Sequence, residues 1–219
     1  MRRTRVVGGA LVTAGVLVLG SSLLLPSLTD SIVAREQGVF AETAPLQSEK
    51  VSSKATAVSV ATVFAKLYVP RFGARYVHAV AEGTSLNKVL NRVGIGHYQS
   101  TQMPGENGNF ALAGHRAGNG GPFRLIDTFK DGDLAYVETA DTWYTYRYLQ
   151  TKVVKPSAIG VIYPRPIGLT ASSQADSFLT LTSCTPIHVN TDRIVAWFEL
   201  VEQHSKQQGP PAKLSWVKK

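Results

Sequence analysis

Residues 6–25, VVGGALVTAGVLVLGSSLLL, form an uncharged apolar run of twenty residues, and no other stretch constrains the folding of this chain so strongly. A helix rises about 1.5 Å per residue, so such a run reaches roughly 30 Å, the hydrocarbon thickness of a bilayer. The preceding MRRTR is basic, which holds that end in the cytoplasm and directs everything after the run outward. A cleaved signal peptide is the rival reading. The run exceeds the usual apolar core of about 7–15 residues, however, and Val39-Phe40-Ala41 makes a poor cleavage triplet. Residues 1–28 therefore read as a cytoplasmic tip and an uncleaved transmembrane anchor helix. The rest of the chain is expected outside the cytoplasm, at the cell membrane.

An exported chain with a single cysteine, Cys184, forms no internal disulfide, so packing alone must hold its fold. Hydrophobic residues at 44% and charged residues at 17% support a sizeable core and argue against a disordered chain. The net charge of +8 is loaded partly at the ends, on Arg2, Arg3 and Arg5 and on Lys213, Lys218 and Lys219. That distribution suits anionic lipid or wall polymer. With no zinc-finger spacing and no aromatic RNA-binding motif, nucleic acid is not expected as a partner.

Residues 29–64, rich in Ser, Thr, Ala and Gln, lack a sustained period and read as an extracytoplasmic linker or stalk. From residue 65 the texture changes. KLYVPRFGARYVHAV, broken by Pro70 and Gly73, predicts a pair of strands. TSLNKVLNRVG predicts a short helix capped by Thr84 or Ser85 and stopped by Gly94. NFALAGH (109–115) reads as a strand, and PFRLIDTF as a helix opened by Pro122. DLAYVETA and TWYTYRYLQTKVV alternate as antiparallel strands do, and FLTLTSC and RIVAWFELV (193–201) are further apolar strands. Seven or eight strands with two or three small helices make residues 65–202 a mostly-β domain, closed or nearly closed into a barrel. The basic tail 203–219, with Pro210-Pro211 and no apolar period, is expected to be flexible.

Three residues stand out chemically. Cys184 ends an apolar strand just before Thr185-Pro186, a position that leaves a thiol at a rim. Nine residues later Arg193 opens the next strand, and if the strands are neighbours the two groups face each other. A guanidinium stays protonated at any working pH and can stabilise the oxyanion formed when a thiol attacks an amide carbonyl. His115 sits where a strand meets the glycine-rich loop AGNGG, and a histidine moves protons near neutral pH. His78, His97 and His204 read as surface or core histidines. His188, between Ile187 and Val189, fits a loop side chain better than a base.

Together, HYQSTQMPGENGNFALAGHRAGNGGPF, Asp131-Gly132-Asp133 and LTLTSCTP with DRIVAWFEL resemble the sortase family. Sortases carry a Thr-Leu-x-Thr-Cys strand, an upstream histidine after an apolar strand, and an arginine on the strand after the cysteine. Here Thr180, Leu181, Thr182 and Ser183 precede Cys184, so Ser stands where Thr is usual. The pattern looks most like class E of the actinobacterial sortases and spans residues 66 to about 201.

The resemblance implies an eight-stranded sortase barrel. It also implies a cysteine transpeptidase with Cys184 as nucleophile, His115 as proton carrier and Arg193 as anion stabiliser. Its substrate would be a surface protein ending in an LPxTG-like or LAxTG-like sorting signal, cut between Thr and Gly. Its acceptor would be an amine of a peptidoglycan precursor. Thr182, Ser183, Ala113, Gly114 and Tyr98 become candidate substrate contacts, with Tyr163 a weaker one. No cofactor or metal is implied. The competing readings are an L,D-transpeptidase, which would need His-Gly before the cysteine, a metal hydrolase, which lacks paired histidine spacing, and an exported sortase-like binding module without activity.

Overall fold

Alternation along the strands decides the architecture. In the computed structural model, which describes residues 28–47 and 61–217, eight strands close into a barrel. They are β1 (Val63–Tyr68), β2 (Val77–Glu82), β3 (Ile95–His97), β4 (Gly108–Gly114), β5 (Leu134–Glu138), β6 (Thr142–Val154), β7 (Ser177–Thr185) and β8 (Asp192–Ser205). Around the barrel they run β1-β2-β3-β4-β7-β8-β6-β5, with β5 pairing back onto β1. The β2–β3 and β4–β7 pairs are parallel and the others antiparallel.

Residues that alternate inward fill the interior: Phe110 and Leu112 of β4, Leu179 and Leu181 of β7, and Ile194, Ala196 and Phe198 of β8. Strand residues point to opposite faces in turn, so the odd positions of β4 and β8 and the even positions of β7 face outward. The outer wall is covered in two places. Val89, Leu90, Val93 and Leu214 pack on Ala79, Ala81, Ala113 and Trp143, while Val161 lies over Val195 and Trp197. Trp197 also donates its indole N–H to the Val161 carbonyl at 3.0 Å. Burial of an aromatic or large aliphatic side chain contributes on the order of 1.5–3 kcal/mol, so these layers stabilise the wall that carries the site.

Several local expectations differ from the structure. The segment predicted as a helix from Thr84 makes one wide turn, Leu86–Leu90, whose Ser85 cap accepts no side-chain hydrogen bond. The segment after Pro122 makes a single 3-10 turn, Ile126–Thr128. β3 is only three residues long and gave no alternating signal. The tail is not loose: β8 runs to Ser205, Leu214 is buried, and Trp216 packs against Tyr68 with Arg75 over its ring.

The 29–64 stretch is more than a tether where it is described. Residues 28–43 form a helix, α1, and Val63 and Phe64 already belong to β1. Ala41 of α1 joins the outer apolar layer. Gln37, 3% exposed, lies between two glycines and donates its amide to the Asn119 carbonyl. A β-carbon on Gly120, whose φ is +82°, would come within 2.6 Å of Gln37 Oε1, so only glycine admits the helix there. The apolar run 6–25 lies outside the described residues. Among the described residues, no helix is long and apolar enough to cross a membrane.

Candidate active site

Cys184 and Arg193 are direct partners across the antiparallel β7–β8 pair. Directly opposed residues of such a pair share a face, with β-carbons about 4.5–5.5 Å apart. That face is the outer one, because by strand alternation Cys184 and Arg193 have the opposite parity to the interior residues Leu179 and Leu181 of β7 and Ile194 and Ala196 of β8. Cys184 is half-buried. Arg193 is partly exposed and donates from Nη1 to the carbonyls of Asn190 (3.1 Å) and Asp192 (2.9 Å). These bonds tie its guanidinium to the β7–β8 loop.

His115 arrives from the other flank of β7. The parallel β4–β7 pairing ends with Ala113 opposite Thr182, and His115 and Cys184 each lie two residues beyond that pair. Two side-chain bonds bracket them. Ser183 Oγ donates to the Gly114 carbonyl at 2.7 Å, and Arg116 Nη1 donates to Thr185 Oγ1 at 2.7 Å. The residues just before and just after His115 are therefore tied to those just before and just after Cys184. Neighbouring strands lie about 4.8 Å apart, so positions 115, 184 and 193 come next to one another on one outer face at the ends of β4, β7 and β8.

The imidazole has its own support. Its Nε2 donates to the Asn91 amide oxygen at 2.8 Å, and its backbone carbonyl accepts from Phe123 N–H at 3.0 Å. Burial lowers the imidazole pKa below its ordinary value, and the negative charge of Asp30 on α1 partly opposes the shift. Asp30 also accepts from the Gly118 amide at 3.0 Å and pairs with Arg124, so α1 braces the loop that follows His115.

The candidate substrate contacts divide by face. Ala113, Thr182 and Tyr98 lie on the outer side, where the Tyr98 and Thr182 hydroxyls are 3.0 Å apart and Thr182 also donates to the Leu112 carbonyl. Thr182 is only 6% exposed, so its hydroxyl serves the wall. Ser183 is 4% exposed and faces inward, where the structure gives its hydroxyl to β4 rather than to a groove. Gly114 also turns inward, and an added β-carbon would meet the Phe123 ring at 2.8 Å. The Tyr163 carbonyl accepts from Asn109, at the opposite end of β4 from His115, which puts its backbone far from the thiol.

The remaining histidines stand apart. His188 is exposed in the β7–β8 loop with φ +66°, His97 is buried against Glu82, and burial drives His78 down to about 4. Among the described residues, no group of three or more His, Cys, Asp or Glu is gathered as a metal site requires. Asn91, Arg116 and Asp30 were not anticipated. Arg116 lies inside the stretch HYQSTQMPGENGNFALAGHRAGNGGPF, but its role, like those of Asn91 and Asp30, is revealed only by long-range partners.

Comparison with known proteins follows the same geometry. The family model described as "Sortase domain" matches residues 67–201. Sortase SrtE1 of Streptomyces coelicolor is 37% identical over 68% of this chain and 43% of its own length. Sortase SrtE2 of the same organism is 37% identical over 62% of this chain and 56% of its own. The chain thus spans about half the length of these curated relatives. Among solved structures, sortase E1 from Streptomyces coelicolor, with a tripeptide in its active site, is 36% identical over 69% of this chain and 96% of that one, with a TM-score of 0.65. Sortase E from Streptomyces avermitilis is 32% identical over 71% and 99%, with a TM-score of 0.64.

Proposed function

Because this chain belongs to the sortase family and is most like its class E members, we propose that it is a cysteine transpeptidase acting on C-terminal sorting signals. The observation that carries this reading is the convergence of Cys184, Arg193 and His115 on one outer face.

The Cys184 thiol passes its proton to His115 as its sulfur attacks the carbonyl carbon of the Thr–Gly bond in an LPxTG-like or LAxTG-like signal. The tetrahedral intermediate carries its charge on oxygen, where the Arg193 guanidinium donates to it. His115 gives its proton to the departing glycine amine, the C–N bond breaks, and a thioester remains on Cys184. An amine of a peptidoglycan precursor then attacks the thioester, His115 takes the amine's proton, the C–S bond breaks as the new amide forms, and the proton returns to the Cys184 sulfur. Two displacements replace one harder step. Burial lowers the His115 pKa from its ordinary value, with Asp30 opposing, and the reaction asks this imidazole to carry a proton in each half. In this reading residues 6–25 anchor the chain, with the barrel outside the membrane.

Detergent-solubilised full chain should cleave labelled LPxTG or LAxTG peptides and accumulate an acyl adduct on Cys184, and Cys184→Ala should do neither. If both peptides stay intact and the Cys184→Ala variant matches the wild type, the transpeptidase reading is lost. A reporter fused after residue 219 should be active outside the cytoplasm, and cytoplasmic activity overturns the anchor.

A further inference from the structure

Behind the outer face lies a buried cation that the reaction itself does not use. Arg116 directly follows His115 and is 7% exposed. Its Nη1 donates to Thr185 Oγ1 at 2.7 Å, and its Nη2 meets the Asp127 carboxylate at 2.7 Å. Thr185 in turn directly follows Cys184 and is 8% exposed. By the alternation of β7, Thr185 shares the inward parity of Leu179 and Leu181. The two residues that face the substrate side are thus each followed by an inward residue, and those two are bonded to each other.

This arrangement is poorly explained as simple filling. A guanidinium is expensive to bury unless well partnered, yet Arg116 Nε has no partner among the described residues, and Asp127 is half exposed. A connecting role fits better. Backbone pairing between β4 and β7 ends at Ala113, and beyond Arg116 the chain enters a loop in which Gly118, Gly120 and Gly121 all have positive φ. Backbone pairing therefore stops short of His115. Proton exchange between thiol and imidazole, in contrast, demands hydrogen-bond reach.

We propose that Arg116 is a positioning residue that sets the separation of His115 and Cys184 by clasping Thr185 from inside the barrel, with Asp127 as its counter-ion. The proposal rests on the transpeptidase reading for its role in turnover, but the clasp has a readout that does not depend on it. Iodoacetamide alkylation of Cys184, followed against pH, carries an inflection from a neighbouring His115, recognised by its loss in His115→Ala.

The experiment uses the full chain in detergent, with the melting temperature of each variant recorded and assays run well below it. Arg116→Gln should lower kcat on the order of 100-fold with KM unchanged, as misplacement of reacting groups by about an ångström does. Thr185→Val should lower kcat roughly tenfold, Thr185→Ser should restore it, and the double variant should be no worse than Arg116→Gln, since both break one link. The alkylation inflection should vanish in Arg116→Gln and Thr185→Val. Retention of wild-type kcat and inflection by either variant overturns the clasp. So do losses that multiply, that appear in KM alone, or that merely track the unfolded fraction. If wild-type chain turns over neither peptide, the transpeptidase reading fails by itself, while the alkylation profiles still decide the clasp.

Discussion

Gly114→Ala probes the wall behind the candidate base with one methyl group. Gly114 needs no positive φ, so alanine suits its backbone and even stiffens the unfolded chain, a gain of about 0.4–1 kcal/mol. The obstacle is space. The new β-carbon would stand 2.8 and 2.9 Å from two atoms of the Phe123 ring, where ordinary contact begins at 3.4 Å. Phe123 is fully buried among Leu112, Ile126 and Phe129, so the ring has little room to retreat. Overpacking of this kind costs about 1–3 kcal/mol. The net loss is then about 1.5 kcal/mol, a fall in Tm of roughly 3–6 °C for a domain of this size. Because Phe123 N–H holds the His115 carbonyl, displacement of the ring also moves His115. Peptide-cleavage kcat should fall at least tenfold at temperatures where the variant is fully folded. Adding Phe123→Leu, which removes the obstructing ring edge, should restore part of both quantities. A Gly114→Ala variant with unchanged Tm, or a double variant worse than either single one, refutes the steric argument.

Two further outcomes follow from the site. Arg193→Lys keeps the charge but loses the fork that serves the Asn190 and Asp192 carbonyls alongside an oxyanion; kcat/KM should drop roughly 100-fold with Tm within about 2 °C, and wild-type turnover in that variant removes the donor role. Asp30→Asn keeps an acceptor for Gly118 N–H but deletes the charge that holds the His115 pKa up against burial. The imidazole pKa should then fall further, moving the acid limb of the pH–kcat/KM profile to lower pH, and an upward shift contradicts the assignment. The sign for stability agrees: a histidine held below its ordinary value contributes fully above that value and loses its contribution as pH falls through the lowered one, so the variant should lose more stability on acidification.

How much of this was readable in advance depended on range. The Cys184–Arg193 pair is legible because the two residues end and begin consecutive strands, where a short connection makes antiparallel pairing the natural outcome. The long strands β6 and β8 announce themselves by alternation. Asn91, Arg116 and Asp30 do not, because their partners lie 24, 69 and 88 residues away. Helix α1 was hidden for a different reason. Its buried positions include Gln37 and Ala41, while Leu28, Ile32, Val39 and Phe40 are exposed. A reading based on hydrophobic faces therefore finds no side to bury. The C-terminal tail escaped notice because two residues, Leu214 and Trp216, fix it without any period.

The serine before the cysteine shows how the two faces of one strand divide the work. The family pattern places threonine at this position, and the loss of a methyl raises the question of what the residue must supply. Ser183 turns inward, is almost wholly buried, and donates to the Gly114 carbonyl at 2.7 Å. A hydroxyl is the part that satisfies this acceptor, and serine retains it. The same inward face carries the Arg116–Thr185 bond two residues on, so one link precedes the Cys184–His115 pair and the other follows it. On the outer face Thr182 binds the Tyr98 hydroxyl and the Leu112 carbonyl, holding β7 to β4 and to the residue that follows β3. Hydroxyls at 182, 183 and 185 therefore fasten β7 to its neighbours on both faces of the strand. Ser183→Thr should alter packing inside the barrel, whereas Ser183→Ala should release the Gly114 carbonyl beside His115.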